Sequence, residues 1–467
     1  MDVPARLKAR DALPRDPLFL APYLREVRPT LLLALPIMVG QVCQILIGVT
    51  DSLMIGRAGT VPLAASAFGM SIFTIFYVVG IGLMLPVSIF VARAHGANAP
   101  SETTEYLRHG LVLALVFGAL ETLILFGLGT QLHRFGQPPE VIAIVRPFFL
   151  LIGASVTPVL VYLVFRQFAE ALGRPWAPMF IILGDVALNV FLNWVLIYGN
   201  LGLPALGLTG AGIATLLART AGTLVLLYWV RHDPRLRVYW PAQWWAPLSK
   251  TRVLAMLHVG VPAASMLFFE CTAFAFSCIM VGWLGAVPLA AHQIALSCAS
   301  FSFMFPLGLS TAAGIRISRA LGAGERQRLR PIGYSALGIA LLMTATFGLL
   351  FAFAGRPLAG LFVRDPSVIS LAVQLLVIAG LFQLFDGAQV NGAALLRGIT
   401  DVRVPAVITF AAYWIAALPL GYVLGIRAGW GARGIWIGIA SGLACAAVLL
   451  AIRFARRARA LETSDSA

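Results

Sequence analysis

Val61-Pro62-Leu63-Ala64-Ala65 recurs 226 residues further along the chain as Val287-Pro288-Leu289-Ala290-Ala291. The same offset sets Pro36 on Pro262, Gly82-Leu83 on Gly308-Leu309 and Arg93-Ala94 on Arg319-Ala320. Over 36–98 against 262–324, without a gap, seventeen of sixty-three positions are identical. A shared apolar bias supplies some of these matches, but not a five-residue string. Fainter echoes follow, Leu192-Asn193-Trp194-Val195-Leu196 with Leu420-Gly421-Tyr422-Val423-Leu424, and Gly212-Ile213-Ala214 with Gly434-Ile435-Trp436. The chain therefore reads as a duplication. Repeats of this kind are common in secondary transporters, which bind substrate near the midplane between the two halves.

What is repeated is a membrane unit. Of 467 residues, 60% are hydrophobic and 11% charged, with mean hydropathy +0.90. Soluble chains carry about 25% charged residues. The apolar blocks are long enough to cross hydrocarbon as helices. They predict spans near 31–56, 61–92, 109–131, 142–171, 177–199, 209–230, 253–283, 287–318, 331–354, 368–396, 403–426 and 432–454. The expected fold is an all-α integral membrane protein with twelve transmembrane helices in two pseudo-symmetric six-helix lobes, related as a parallel repeat. Residues 1–30 form an amino-terminal segment, 31–230 the N-lobe, 231–252 a basic inter-lobe loop, 253–455 the C-lobe and 456–467 a tail. Pro36, Pro86, Pro158, Pro262, Pro306 and Pro419 fall within spans and predict kinks or hinges.

The net charge of +15 is not spread evenly. With the amino terminus inside, cytoplasmic segments hold 26 Lys and Arg and the opposite side seven. That asymmetry is the positive-inside rule, and it puts both termini in the cytoplasm. Anionic lipid headgroups, not nucleic acid, are the expected partners of this charge. No cleaved signal peptide is legible in 1–30, so the first span is expected to act as the insertion signal. Cys43, Cys271, Cys278, Cys298 and Cys445 all lie in spans and read as packing residues. The cluster Trp240, Trp244 and Trp245 reads as an interfacial anchor.

Six acids lie within spans: Asp51, Glu121, Glu170, Asp185, Glu270 and Asp386. A carboxylate at the bilayer centre costs roughly 2.5–3.5 kcal/mol even on a mild insertion scale, so each needs a partner or a task. Glu170 has Arg166 four residues before it, and a local ion pair explains it. Asp185 is a candidate to pair with Arg219, while Glu121 has no obvious partner. Asp51, Glu270 and Asp386 have no basic residue within a helical turn. Thr50 and Ser52 place oxygens beside Asp51. Phe268-Phe269 precede Glu270 and Phe385 precedes Asp386, an aromatic wall suited to a lipophilic cation. The same carboxylates suit a proton or sodium. Under the 226 offset Asp51 meets Ser277 and Glu270 meets Gln44, so the acids are placed differently in the two halves. Divided labour follows as a hypothesis, cation in one lobe and drug in the other.

These strings resemble the multidrug and toxic compound extrusion family, within it the NorM type, over roughly 30–455. Val49-Thr50-Asp51-Ser52-Leu53-Met54-Ile55-Gly56 is similar to the family's V-D-T-x-M-x-G. Phe268-Phe269-Glu270, Leu289-Ala290-Ala291-His292-Gln293-Ile294-Ala295-Leu296, Leu192 to Gly199, Gly380-Leu381-Phe382-Gln383 and Leu396-Arg397-Gly398 follow in family order. The resemblance implies drug export in exchange for sodium ions or protons, with fluoroquinolones, ethidium and other lipophilic cations as typical cargo. It marks Glu270 and Asp386 as a carboxyl-lobe cation site, holding transported sodium if sodium is the coupling ion. It marks Asp51, Asn189 and Asn193 as an amino-lobe polar site. Asp185, Phe269, Phe382 and Gln383 are secondary candidates. Phe382 stands where many relatives have tyrosine, Arg397-Gly398-Ile399-Thr400-Asp401 departs from R-G-Y-K-D, and Asp185 has no place in the pattern. No cofactor is expected beyond the coupling ion, and a monomer is expected.

Rival readings are a lipid-linked oligosaccharide flippase of the same wider superfamily and an intramembrane enzyme. The first would need a strongly cationic cavity, whereas the deep charges here are mostly acids. The second lacks any motif of metal, serine-nucleophile or phosphate-loop type among six dispersed histidines. His292 reads as a hydrogen-bonding link between helices, since Ser66 is its counterpart in the other half. Nothing resembles a carbonyl-lined filter that would make a channel.

Overall fold

A computed structural model describes residues 21–463. The amino-terminal bases Arg6, Lys8, Arg10 and Arg15, and the last four residues of the expected tail, lie outside the described residues. Twelve helices long and apolar enough to cross a membrane are present among the described residues, and no strand. They are α1 (Ala21–Ala58), α2 (Thr60–Gly96), α3 (Pro100–Thr130), α4 (Pro139–Ala171), α5 (Trp176–Tyr198), α6 (Gly207–His232), α7 (Lys250–Gly282), α8 (Ala286–Gly322), α9 (Arg326–Gly360), α10 (Pro366–Gly398), α11 (Arg403–Arg427) and α12 (Ala432–Thr463). All twelve expected spans are there, in order. Several helices run past the expected ends: α1 begins at Ala21 and α12 ends at Thr463. A 38-residue helix is about 57 Å long against roughly 30 Å of hydrocarbon, so polar turns continue beyond the apolar run that composition detects.

The prolines act unequally. Pro86 has no N–H for Gly82, and α2 restarts there after Met84. Pro158 likewise cannot bond Ala154, and α4 breaks at Ser155. Pro36, Pro262 and Pro306 sit inside uninterrupted helices. Around Pro419, α11 takes π-helical turns over Ala411–Ala417 and Val423–Arg427.

Six helices on each side pack into a lobe, and the lobes meet along α1, α2, α7 and α8. A small apolar cluster of Ala34, Ile37, Met38, Leu309, Ala312 and Ala340 seals part of this seam. The seam is built twice. A Cβ on Gly82 would meet Ala264 Cα at 2.3 Å, and one on Gly308 would meet Met38 Cα at 2.7 Å. Gly82 and Gly308 are repeat equivalents, and so are Met38 and Ala264. Further down, a Cβ on Gly96 would lie 2.1 Å from the Arg319 carbonyl, and one on Gly322 would lie 2.0 Å from that of Arg93. These too are equivalents under the 226 offset. Only glycine permits such backbone-to-backbone approach. An ionic clamp joins the lobes at the same end. Arg316 of α8 holds the Glu26 carboxylate and the Thr30 hydroxyl of α1, and Arg328 Nε reaches Glu26 at 3.0 Å. These contacts lie from the middle of the helices to the face that carries both described chain ends. Toward the other face, Leu46, Val49 and Leu53 of α1 and Phe276 and Ile279 of α7 are exposed.

The 231–252 loop is pinned to the N-lobe. Arg174 donates to Asp233 at 2.7 Å, Arg108 to the carbonyls of Ala246 and Pro247, and the Ser249 N–H to His109 Nε2 at 2.9 Å. Burial alone would raise the Asp233 carboxyl, but Arg174 and the backbone N–H groups of Arg235 and Leu236 hold it below its usual range. The tryptophan reading needs correction here. Trp240 stacks on Phe165 and Trp244 packs edge-on to Trp240, so both close the loop onto α4. Only Trp245, 99% exposed, is placed as an anchor would be.

Candidate functional site

In the N-lobe, helical spacing aligns Asp185, Asn189 and Asn193 on one face of α5. Asn193 Nδ2 donates to Asp51 Oδ1 at 2.5 Å and to Asn189 Oδ1 at 3.2 Å. The other Asp51 oxygen accepts from Thr215 of α6 at 3.5 Å. The structure thus brings Asp51, Asn189 and Asn193 together and adds Thr215. Thr50 is not part of the set: its hydroxyl bonds back to Leu46 and Ile47 of its own helix. Ser52 is exposed. Neighbours in a helix point about 100° apart, so chain adjacency was the wrong guide.

One turn along α6 from Thr215, Arg219 is near enough for its charge to act on both Asp51 and Asp185. The expected Asp185–Arg219 ion pair does not form. Arg219 Nη1 donates to Ser155 Oγ at 2.7 Å, at the break in α4, and its guanidinium lies over the Phe73 and Tyr77 rings at 5.2 and 6.0 Å. Asp185 is buried against Gly222, where a Cβ would stand 2.9 Å from its Oδ2, and its Oδ1 has no partner among the described residues. Glu121 is buried with neither oxygen partnered, against Gly80 of α2. Glu170 binds Arg166 at 2.7 Å, as its spacing predicts, and Arg166 also reaches Gln41 at 3.0 Å.

In the C-lobe, Glu270 and Asp386 are close enough to feel each other's charge, and both act on the buried Tyr413 hydroxyl of α11. Gln389, one turn after Asp386, lies near enough for its amide to act on the Glu270 carboxylate. Gln383 spends its Nε2 on the Ala299 carbonyl of α8 at 2.9 Å. The atoms left over are mainly acceptors. Asp386 Oδ1, Gln383 Oε1, Gln389 Oε1 and the Tyr413 hydroxyl have no partner among the described residues. Buried oxygens in such a group favour a cation, because each lone pair shut away from water carries a desolvation cost until something positive meets it.

The aromatic surroundings differ from the expected wall. Phe274, one turn beyond Glu270, and Phe382, one turn before Asp386, meet edge-on at 6.1 Å, and Phe274 lies 6.2 Å from Tyr413. Phe269 packs on Phe410 at 5.0 Å instead, and its carbonyl accepts from Trp414. Phe268 is partly exposed. His292 Nδ1 accepts from Trp436 Nε1 at 3.0 Å, a link between α8 and α12. Sequence reasoning missed Thr215, Gln389 and Tyr413. The only signal was a polar group in an apolar run, at helical spacing from an acid for Gln389 alone.

A family model described as MatE matches the chain twice, over residues 36–195 and 262–423. The chain belongs to the MatE family. The two matches begin 226 residues apart, so each half of the chain carries one MatE match, at the offset of the sequence repeat. Over 448 residues this MatE chain is 36% identical to a protein of Mesorhizobium japonicum named probable multidrug resistance protein NorM, covering 93% of this chain and 95% of that one. Over 444 residues it is 34% identical to multidrug resistance protein MdtK of Yersinia pseudotuberculosis, covering 92% and 95%. Among solved structures it is similar to an outward-facing conformation of a multidrug resistance MATE family transporter, with TM-score 0.86, 21% identity and coverage of 93% and 96%. That last likeness speaks for the fold alone.

Proposed function

We propose that this MatE chain is a multidrug efflux pump of a bacterial inner membrane, a secondary antiporter that exports lipophilic, often cationic drugs against sodium ions or protons. The observation that carries the reading is the C-lobe group, in which the buried Asp386, the half-buried Glu270 and three unpartnered buried side-chain oxygens gather beside aromatic rings. The names of the relatives, which are multidrug resistance proteins, support the choice of cargo. Both termini face the cytoplasm in this reading, by the asymmetry of Lys and Arg. Drug enters from the cytoplasm while the glycine seam is open. The lobes rock, the seam closes, and the cleft faces outward. A cation then competes for the carboxylates, drug leaves, and the cation-bound form resets. One monovalent cation crossing about 100 mV supplies about 2.3 kcal/mol, enough for roughly fifty-fold accumulation when drug movement is electroneutral.

The test is ethidium export from proteoliposomes under an imposed sodium or proton gradient, with Glu270→Gln and Asp386→Asn beside the intact protein. Export driven by one gradient and lost in either variant names the coupling ion. No export by the intact protein under either gradient would turn the reading toward lipid-linked oligosaccharide as cargo.

A further inference from the structure

The carboxyl-terminal part of α12 carries four arginines, Arg453, Arg456, Arg457 and Arg459, on two different stripes of the helix. Arg453 and Arg457, one turn apart, both close on Asp401 at 2.9 Å. They anchor α12 to the turn between α10 and α11. At 100° per residue Arg456 and Arg459 are centred about a third of a turn away, and both are exposed with no ion pair among the described residues. They face α9, where Arg330 lies over the Tyr334 ring at 5.9 Å. Between the two helices is a cavity of about 450 Å³, lined by Arg330, Tyr334, Ile452, Ala455, Arg456 and Arg459 among others. Its floor is aromatic and firm. A Cβ on Gly333 would lie 2.2 Å from the Phe454 ring, so glycine lets that ring seat against α9, and Tyr334 meets it edge-on at 6.5 Å.

We infer that this groove binds the headgroup of an anionic phospholipid. The charge fits a phosphodiester. Three guanidiniums line or border the groove, and among the described residues the one acid nearby, Glu462, lies 3.4 Å from Arg330, with no described acid paired to Arg456 or Arg459. The shape fits a lipid more than a free anion. Deeper along α12 the basic rim gives way to Ile452, Leu449 and Val448, each 44–53% exposed, and on α9 to Leu341 and Leu342. A phosphate held at the rim would thus lead its acyl chains along apolar flanks of both helices. Basic pockets between helices at a membrane surface bind anionic headgroups for these two reasons together. A basic residue serving insertion alone needs no groove and no aromatic floor. The site stands outside the proposed transport path, so it survives or fails independently of that reading.

The experiment uses the full-length protein in mild detergent, stripped of lipid and then titrated with phosphatidylglycerol or phosphatidylethanolamine, with bound lipid counted by native mass spectrometry. Phosphatidylglycerol should be retained in preference. Arg456→Gln with Arg459→Gln should weaken that binding roughly 30-fold. Arg231→Gln with Arg237→Gln, which removes equal charge from exposed positions on the same basic face, should not. Equal losses in the two pairs would reduce the effect to bulk surface charge and overturn the site. An unchanged affinity in the first pair would do the same. Displacement of the lipid by millimolar inorganic phosphate would reassign the groove to a free anion. Since Arg456 and Arg459 are exposed, folding is checked simply by an unchanged melting temperature.

Discussion

At the scale of single residues, the chain separates acids that are satisfied from acids that are not. Glu170 and Glu26 hold arginines, whereas Asp386, Asp185 and Glu121 keep oxygens without a donor among the described residues. Tyr413 supplies a hydroxyl where Phe382 has none. Tyr413→Phe should leave the fold intact and weaken the apparent affinity for the coupling cation about tenfold, the scale of a lost hydrogen bond to a charged group; unchanged cation dependence of export would remove Tyr413 from the site. Asp51→Asn and Glu270→Gln should give different defects, one mainly in drug affinity and the other mainly in cation dependence. Matching defects in both assays would end the idea of divided labour. Gly222→Ala would set a methyl 2.9 Å from the Asp185 carboxylate and should cost about 1–3 kcal/mol, seen as a lower melting temperature in detergent. The acids were legible because a carboxylate stands out in an apolar run. Thr215, Gln389 and Tyr413 were not, because uncharged polar residues occur in many spans and only the partner helix shows which one matters. The aromatic neighbours were misjudged for a geometric reason: Phe268-Phe269 touch Glu270 along the chain, but Phe274 shares its face of the helix.

At the scale of elements, the twelve helices were legible from apolar length, while their true ends and their irregular turns were not. The terminal turns of α1 and α12 are polar and owe their order to contacts with other helices, such as Glu26 with Arg316 and Asp401 with Arg453. The π-helical turns of α11 that frame Tyr413 leave no mark in composition. Such turns recur at functional sites in other helices, consistent with the placement of that hydroxyl. The Arg174–Asp233 link predicts a pH response of the inter-lobe loop. The folded carboxyl is held low, so its contribution is complete above about pH 4 and is lost as the pH falls through the folded value. Protease nicking within 234–248 should therefore accelerate only in that acid range, and Asp233→Asn should be nicked readily at neutral pH. Resistance of the variant at neutral pH would show that Arg108 and His109 hold the loop without Asp233.

At the scale of the molecule, one offset of 226 residues organises both the sequence and the seam. The repeat was legible from a five-residue string, yet its role was not, since nothing in the string tells which equivalent residues will touch across the axis. The lobes are held at one end by the glycine contacts and by Arg316 and Arg328 on Glu26. Arg316→Gln should shift the protein toward the form in which this end is parted, seen as longer spin-label distances between α2 and α8 at their chain-end face; distances equal to those of the intact protein would mean the clamp has no part in setting the balance. The doubled seam carries a practical consequence. Met38 against Gly308 and Ala264 against Gly82 are a single contact written twice, at two places in one molecule. Probes set near each therefore form a built-in control for any measurement of the lobes in motion. Equal signals would describe two rigid bodies turning about their shared axis, and unequal signals would reveal torsion within a lobe that no single pair of probes could distinguish from rocking.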